Sequence, residues 1–407
     1  DQLNFDAFNI EPSGIAFNAQ GSMTTDLSVA RETNAEALIG VTKSFGRLNV
    51  NALVGGNQMH NVVDGRTLSS GLFNVPFQYF IGNGSGQNFS VNFQEFAINS
   101  LFASADIDFD NTVFLTLTGR QDWFSTLAKE NNNLFYPSVG LSYVLTNHWQ
   151  SHPAWLNFAK IRTSWAEVGG GAPNPYGLSL TYTPQAQQHL GATLMNVTGN
   201  IIPNKLVPYT STTKEVGLDL KAFRSRVGVD LTFYERSTTN DIVFASVPLS
   251  SGYARTALNV GQVRNRGVEL LLTGTLVRKP KWSWDASFNA AYNDNKVVKI
   301  ADGITTLFID GATTRTQNGG IYHFEGRPFG MIAGNRARVD ANGRTIYNSA
   351  NGIPVQGPLE ALGLGVPPWT MGLNNTFTYG AFSLDVLVDG KFGAQVYSAT
   401  NAYGTQF

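Results

Sequence analysis

Hydrophobicity alternates with a period of two residues through most of this chain, which leaves few folds open to it. Ala37, Ile39, Val41 and Phe45 fall on one side of an extended segment, and Glu36, Thr42 and Ser44 on the other. After Gly46 the pattern restarts with Leu48, Val50, Ala52 and Val54. It returns in Leu101–Phe109, Val113–Leu117, Val139–Leu145, Ala159–Trp165, Val216–Ala222, Val227–Phe233, Val268–Leu272, Trp282–Tyr292, Met371–Tyr379 and Phe382–Val388. Successive side chains of a strand point to opposite faces, so such a segment meets two different surroundings. The pattern predicts about ten strands of roughly 8–12 residues, the length that crosses a bilayer when tilted. Helical periodicity of comparable strength is absent.

The connections follow a rhythm. Gly46, Asp110-Asn111, Ser225, the Arg278–Lys281 stretch and Gly380 are placed to close tight turns. Between these hairpins the reading expects long connections: about 40 residues around Gly56–Ala97, about 45 around Val168–Thr212 and over 70 around Asn293–Thr370, far beyond the usual loop of a compact domain. Short turns at one end and long loops at the other describe a transmembrane β-barrel. The opposite face to the apolar set carries Asn49, Asn51, Asp106, Asp108, Thr116, Thr118, Arg120, Glu215, Asp219, Asp230, Asp285 and Asn289, as a watered lumen would. Tyr143, Trp149, Trp165, Phe233, Trp282, Tyr292 and Tyr379 stand near strand ends, where aromatic girdles form.

Composition narrows the function. The 407 residues hold 28 Lys plus Arg against 29 Asp plus Glu, and no Cys. A net charge of -1 leaves no electrostatic footprint for nucleic acid. Without cysteine there is no disulfide scaffold, thiolate metal site or thiol nucleophile. No apolar run reaches the 18 residues of a helical span, a requirement a barrel does not share. Residue 1 is Asp and no signal peptide is visible, so the chain is read as processed or as an excerpt.

A set of ordered motifs resembles the SusC-like family of TonB-dependent outer-membrane transporters. The stretch Pro248-Leu-Ser-Ser-Gly-Tyr253 followed by Asn259-Val-Gly-Gln-Val-Arg-Asn-Arg-Gly-Val-Glu269-Leu carries most of it. Asn99–Ala103 leading into Gly119-Arg-Gln-Asp122, Phe135-Tyr-Pro-Ser-Val-Gly140, Lys214–Asp219, Phe233-Tyr-Glu-Arg236, Gly326–Gly330, Asn374–Tyr379 and Asp389–Gly393 follow in order. The resemblance runs from about Ala35 to the end and implies an all-β, antiparallel transmembrane barrel of 22 strands with long extracellular loops. It also implies an N-terminal plug, a SusD-like surface lipoprotein as lid, coupling to TonB-ExbB-ExbD, and TonB-dependent uptake of a glycan or peptide nutrient across the outer membrane. Residues 1–407 are thus expected to be part of such a barrel, with the plug and the early barrel strands outside this sequence. An open edge in lipid would leave backbone groups unsatisfied. Phe407 imitates the aromatic ending of an outer-membrane protein, but Asn401–Gln406 lacks alternation, so it is read as a cut end.

Enzyme motifs are weak, and no catalysis, cofactor or metal is expected. His148 and His152 have the spacing of a helical zinc pair but sit in a turn with Trp149 and Pro153. Gly82–Gly86 is Gly-rich without the Lys of a phosphate loop. Asp106, Asp108 and Asp110 alternate with apolar residues, so they belong to a polar strand face. Asp340-Ala-Asn-Gly343 is explained by a turn. Substrate contacts are expected from side chains that combine aromatic faces with hydrogen bonding: Arg120, Asp122 and Trp123, Tyr176 and Tyr182 in a Gly/Pro/Asn-rich loop, and Tyr253 and Arg255 in the motif loop. The rival readings are a passive porin or surface adhesin barrel without TonB coupling, and a secreted β-sandwich.

Overall fold

A computed structural model describes residues 2–10, 20–149, 151–171, 175–176, 182–197, 200–201, 206–246, 255–311 and 319–398. The main sheet is built from β1 (Gln2–Ile10), β2 (Ser22–Phe45), β3 (Leu48–Leu72), β4 (Asn88–Phe109), β5 (Val113–Phe124), β6 (Asn133–Val144) and β7 (Leu156–Gly170). A hairpin of β8 (Tyr182–His189) and β9 (Ala192–Val197) and the short β10 (Asn200–Ile201) precede β11 (Tyr209–Ala222), β12 (Val227–Ser246), β13 (Arg255–Lys279) and β14 (Trp282–Lys299). A separate four-stranded sheet, β15 (Thr306–Gly311), β16 (Gly319–Phe324), β17 (Met331–Ala337) and β18 (Gln356–Leu364), comes before β19 (Trp369–Tyr379) and β20 (Phe382–Phe392). The main sheet has the order β1 to β7, β11 to β14, β19, β20, with neighbours antiparallel and β10 parallel to β13.

Strand polarity puts the tight turns at one end. The hairpins β2–β3, β4–β5, β11–β12, β13–β14 and β19–β20 close there, as does the β6–β7 connection. Asp110 and Asn111 both have positive φ (57° and 49°), and Thr112 N–H donates to Phe109 C=O, the geometry that suits a twisted hairpin. Phe223, Arg224 and Ser225 repeat the device. The strand ends that flank 73–87, 125–132, 171–208, 247–254 and 300–368 all lie at the other end. The one-sided loading of long connections is therefore a property of the fold.

Two expectations need correction. The stretch Gly56–Ala97 is mostly strand, because β2, β3 and β4 run for 24, 25 and 22 residues, leaving 73–87 as the connection. The long segment after Asn293 contains the four-stranded sheet. Beyond the lipid both faces of a strand meet water, so alternation fades while the ladder of hydrogen bonds continues. The connection at 73–87 is itself folded: the Asn83 side chain accepts from Val75 N–H at 3.0 Å and donates to the backbone carbonyl oxygens of Val75 and Gln78, each at 2.7 Å, and Phe73 packs edge-on to Tyr79.

The faces sort as the alternation demands. One cross-strand row of the outer face reads Val50, Ile107, Leu115, Leu141, Thr163, Val216, Phe233, Val268, Tyr292, Trp369. On β14 the outer face is framed by Trp282 and Tyr292, and on β19 by Trp369 and Tyr379. Trp284 stacks on Phe377 and donates its indole N–H to Asn375 at 3.1 Å. Large apolar side chains of this face stand exposed, Ile39 at 77% and Leu384 at 60%, as lipid contact requires.

Candidate functional site

The polar face of the sheet carries two clusters. The first lies at the long-connection end. Arg120 on β5 donates from Nε to Asp122 Oδ1 at 2.8 Å and from Nη2 to Ser100 Oγ on β4 at 2.7 Å. Its guanidinium carbon stands 5.7 Å from the Phe102 ring centroid. Phe102 covers Gly55 of β3, where a Cβ would come within 2.7 Å of the ring. Residue 55 must therefore lack a side chain for the ring to lie flat beneath Arg120. Asp122 is buried, and its charge is matched by Arg120.

Above this pair opens a cleft of about 530 Å³ between β4, β5, β7 and β11. Phe96, Ile98, Phe124 and Tyr209 supply apolar and aromatic walls, with Asp122, Asp241, Thr126 and Pro175 completing it. Gly169, Gly170 and Gly171 at the end of β7 form one side, packed so closely against Leu134, Tyr209, Thr126 and Phe124 that side chains there would collide. Aromatic faces beside hydrogen-bonding groups suit a neutral, hydroxyl- or amide-rich molecule.

The second cluster lies nearer the tight turns. Arg162 on β7 is bonded to Asp219 of β11, and its Nη2 reaches Asp230 Oδ1 and Thr232 Oγ1 of β12, each at 2.6 Å. Lys160 holds Asp219 at 2.7 Å. Asp219 and Asp230 are direct cross-strand partners, a repulsive pairing that the two cations neutralise. Next to it a cavity of about 450 Å³ is lined by Arg162, Glu215, Thr232, Tyr234, Arg236, Asn265, Glu269 and Asn293. Tyr234 donates to Asn293 at 3.2 Å, and Asn293 to Asn265 at 3.1 Å.

The expected site residues divide. Arg120 and Asp122 come together, and Asp122 lines the cleft. Trp123 sits between Asn99 and Asn133 on the outer face, because neighbours in a strand point oppositely. Tyr176 follows the cleft residue Pro175 in a left-handed conformation (φ 59°) and is exposed. Tyr182 opens β8 of the separate β8–β9 hairpin and is also exposed. Arg255 begins β13, paired with Ser246 and Asn200. Tyr253, with the rest of the Pro248–Tyr253 motif, and the terminal Asn401–Phe407 lie outside the described residues. Sequence reading missed Arg162, Lys160, Thr232 and Tyr209 as site residues.

The carboxylates weighed as metal ligands have other partners. Asp106 accepts from Thr116, Asp108 from Asn49 and Asn111 N–H, and Asp340 from Asn342 and Arg344 N–H. Among the described residues, no group of three or more His, Asp or Glu is arranged to hold a metal ion.

A sheet with a lipid-facing apolar side, a polar inner side and its long connections at one end defines a wall of an outer-membrane β-barrel. Residues 3–406 match the family described as TonB dependent receptor-like, beta-barrel, and the chain belongs to that family. It is 23% identical over 410 residues to TonB-dependent receptor P3 of Formosa agariphila, covering 93% of this chain and 40% of that protein. It is 22% identical over 317 residues to TonB-dependent receptor SusC of Bacteroides thetaiotaomicron, covering 73% of this chain and 31% of that protein. Among solved structures it is similar to a chain of the RagAB peptide importer in its closed-closed state, with a TM-score of 0.77 at 20% identity, over 96% of this chain and 45% of that one. The chain thus spans less than half the length of these relatives. As a barrel segment of this family it resides in the outer membrane.

Proposed function

We propose that this chain forms part of the wall of a TonB-dependent transporter that imports a glycan or peptide nutrient. In this reading the plug and the remaining strands of a 22-stranded barrel belong to the same longer protein, and residues 1–407 form one partial barrel domain. A SusD-like lipoprotein closes the long-connection end, and TonB-ExbB-ExbD supplies the energy through the N-terminal region. The similarity to SusC and to the RagAB peptide importer supports the pairing and TonB coupling, and the latter supports a peptide as one of the two substrate classes.

The observation that carries the reading is the cleft beside Asp122, on the polar face and at the end with the long connections. Its chemistry is that of binding and release: Arg120 and Asp122 hold each other, Phe124 and Tyr209 offer ring faces, and no covalent step is required. Of the other residues singled out for substrate contact, Tyr176 adjoins the cleft through Pro175, Tyr182 stands at the start of β8, Arg255 begins β13, and Tyr253 lies outside the described residues.

The test is uptake by cells carrying the full-length receptor as their sole route for the nutrient. Loss of growth on deleting either the receptor or TonB, together with co-purification of a surface lipoprotein, is the expected result. Uptake that continues without TonB would make the protein a passive porin, and a barrel that adheres without uptake would make it an adhesin.

A further inference from the structure

The outer face carries charge where an anionic lipid would meet it. Immediately beyond the apolar row that ends in Val268, Tyr292 and Trp369, the next row reads Trp165, Lys214, Glu235, Arg266, Asp294. Arg266 is satisfied by Glu235. One row further towards the long connections, Arg264 of β13 stands directly opposite Lys296 of β14, with neutral Ser237 on its other side. Two cations in direct cross-strand register repel. Arg264 Nε is enclosed and has no hydrogen-bond partner among the described residues, and no ion pair of Lys296 is present there either. The nearby carboxylates do not resolve this: Glu235 is engaged by Arg266, Glu167 accepts from Thr212, and Asp294, in register with Arg266, forms no ion pair with Arg264 or Lys296 among the described residues. Below the charged rows, Val139, Leu141, Trp165, Val216 and Phe233 line an apolar hollow of about 420 Å³ that reaches up to Lys214 and Glu235.

We propose that Arg264 and Lys296 bind the phosphate headgroup of a lipid in the outer leaflet, whose acyl chain lies along the outer face beneath them. A phosphate ester supplies the two or more acceptor oxygens and the negative charge that this pair lacks. The apolar hollow and the aromatic edge at Tyr292 and Trp369 explain why the occupant is an amphiphile rather than a soluble anion. This inference rests on the outer-membrane placement and is independent of what is transported.

Native mass spectrometry of the full-length receptor, delipidated in detergent, tests it. Phosphatidic acid, diacylglycerol and inorganic phosphate are titrated separately. Phosphatidic acid is expected to bind, diacylglycerol much more weakly, and R264Q/K296Q to weaken phosphatidic acid by at least about tenfold. The charge-keeping R264K/K296R variant should retain most binding, and K43Q, on the outer face near the tight turns, should change nothing. If R264Q/K296Q fails to fold, the comparison of R264K/K296R with phosphate-free diacylglycerol still decides. Equal binding of phosphatidic acid and diacylglycerol, or equal binding by the wild type and a folded R264Q/K296Q, overturns the proposal. Inorganic phosphate binding as tightly as phosphatidic acid overturns the lipid as its source.

Discussion

The Tyr234 ring lies flat over Gly267, its direct cross-strand partner, and a Cβ at residue 267 would collide with the ring. The pose lets the phenol reach Asn293 and shape the wall of the inner polar cavity. Gly267→Ala is expected to cost about 1–3 kcal/mol through overpacking. Thermal unfolding of the receptor in detergent would show it, and adding Tyr234→Ala should recover part of the loss.

Removing Arg162 leaves Asp219 and Asp230 facing each other across β11 and β12 with only Lys160 to offset them. Arg162→Ala should destabilise the barrel by about 1–3 kcal/mol, the range for hydrogen bonds to charged groups. The triple variant R162A/D219N/D230N should be more stable than R162A alone. Urea titration of the three proteins checks the order. A triple variant less stable than R162A would place the cost in packing instead of charge.

Asn259 clamps the segment before β11. Its side chain accepts from Val207 N–H and donates to Val207 C=O, both at 2.8 Å, and donates to Asn240 C=O at 2.7 Å. Asn259→Ala should free this connection and raise its proteolysis several-fold at unchanged global stability to within about 1–2 kcal/mol. Mass mapping of the cleavage sites tests where the chain opens.

His323 in the four-stranded sheet is buried against Phe329, their ring centroids 4.1 Å apart, and its Nδ1 accepts from Gly330 N–H. Burial pushes its pKa below the ordinary 6.5, with a smaller opposing effect from the Tyr322 backbone. A depressed pKa in the folded state means the stabilisation is complete above about pH 6.5 and is lost as pH falls through the folded value. Protection factors in β16 and β17, corrected for the intrinsic exchange rate at each pH, should therefore fall on acidification. His323→Leu should abolish that fall.

Much of the wall was legible in the sequence because lipid and water impose opposite demands on alternate side chains. Phe45, Val41 and Ile39 against Ser44 and Thr42 give the two faces of β2, and Gly46, Asp110-Asn111 and Gly380 mark the turns. The upper halves of β2 to β4 were not legible, since both of their faces meet water. The four short strands of β15–β18, broken by register shifts, carry no steady period either. Arg120 and Asp122 were found because they share a face two residues apart. Trp123 fell to the other face by the same rule. The Arg162 cluster joins residues 57 to 70 positions apart, and only strand register brings them together.

The assignment of an inner watered face and an outer lipid face is tested most directly on β5. These 407 residues hold no cysteine, so single cysteines placed from residue 115 to 118 are the only ones in this segment. In intact outer membranes, a small water-soluble maleimide should label T116C and T118C and spare L115C and L117C. Uniform labelling, or labelling of L115C and L117C instead, would contradict the assignment of faces and with it the barrel.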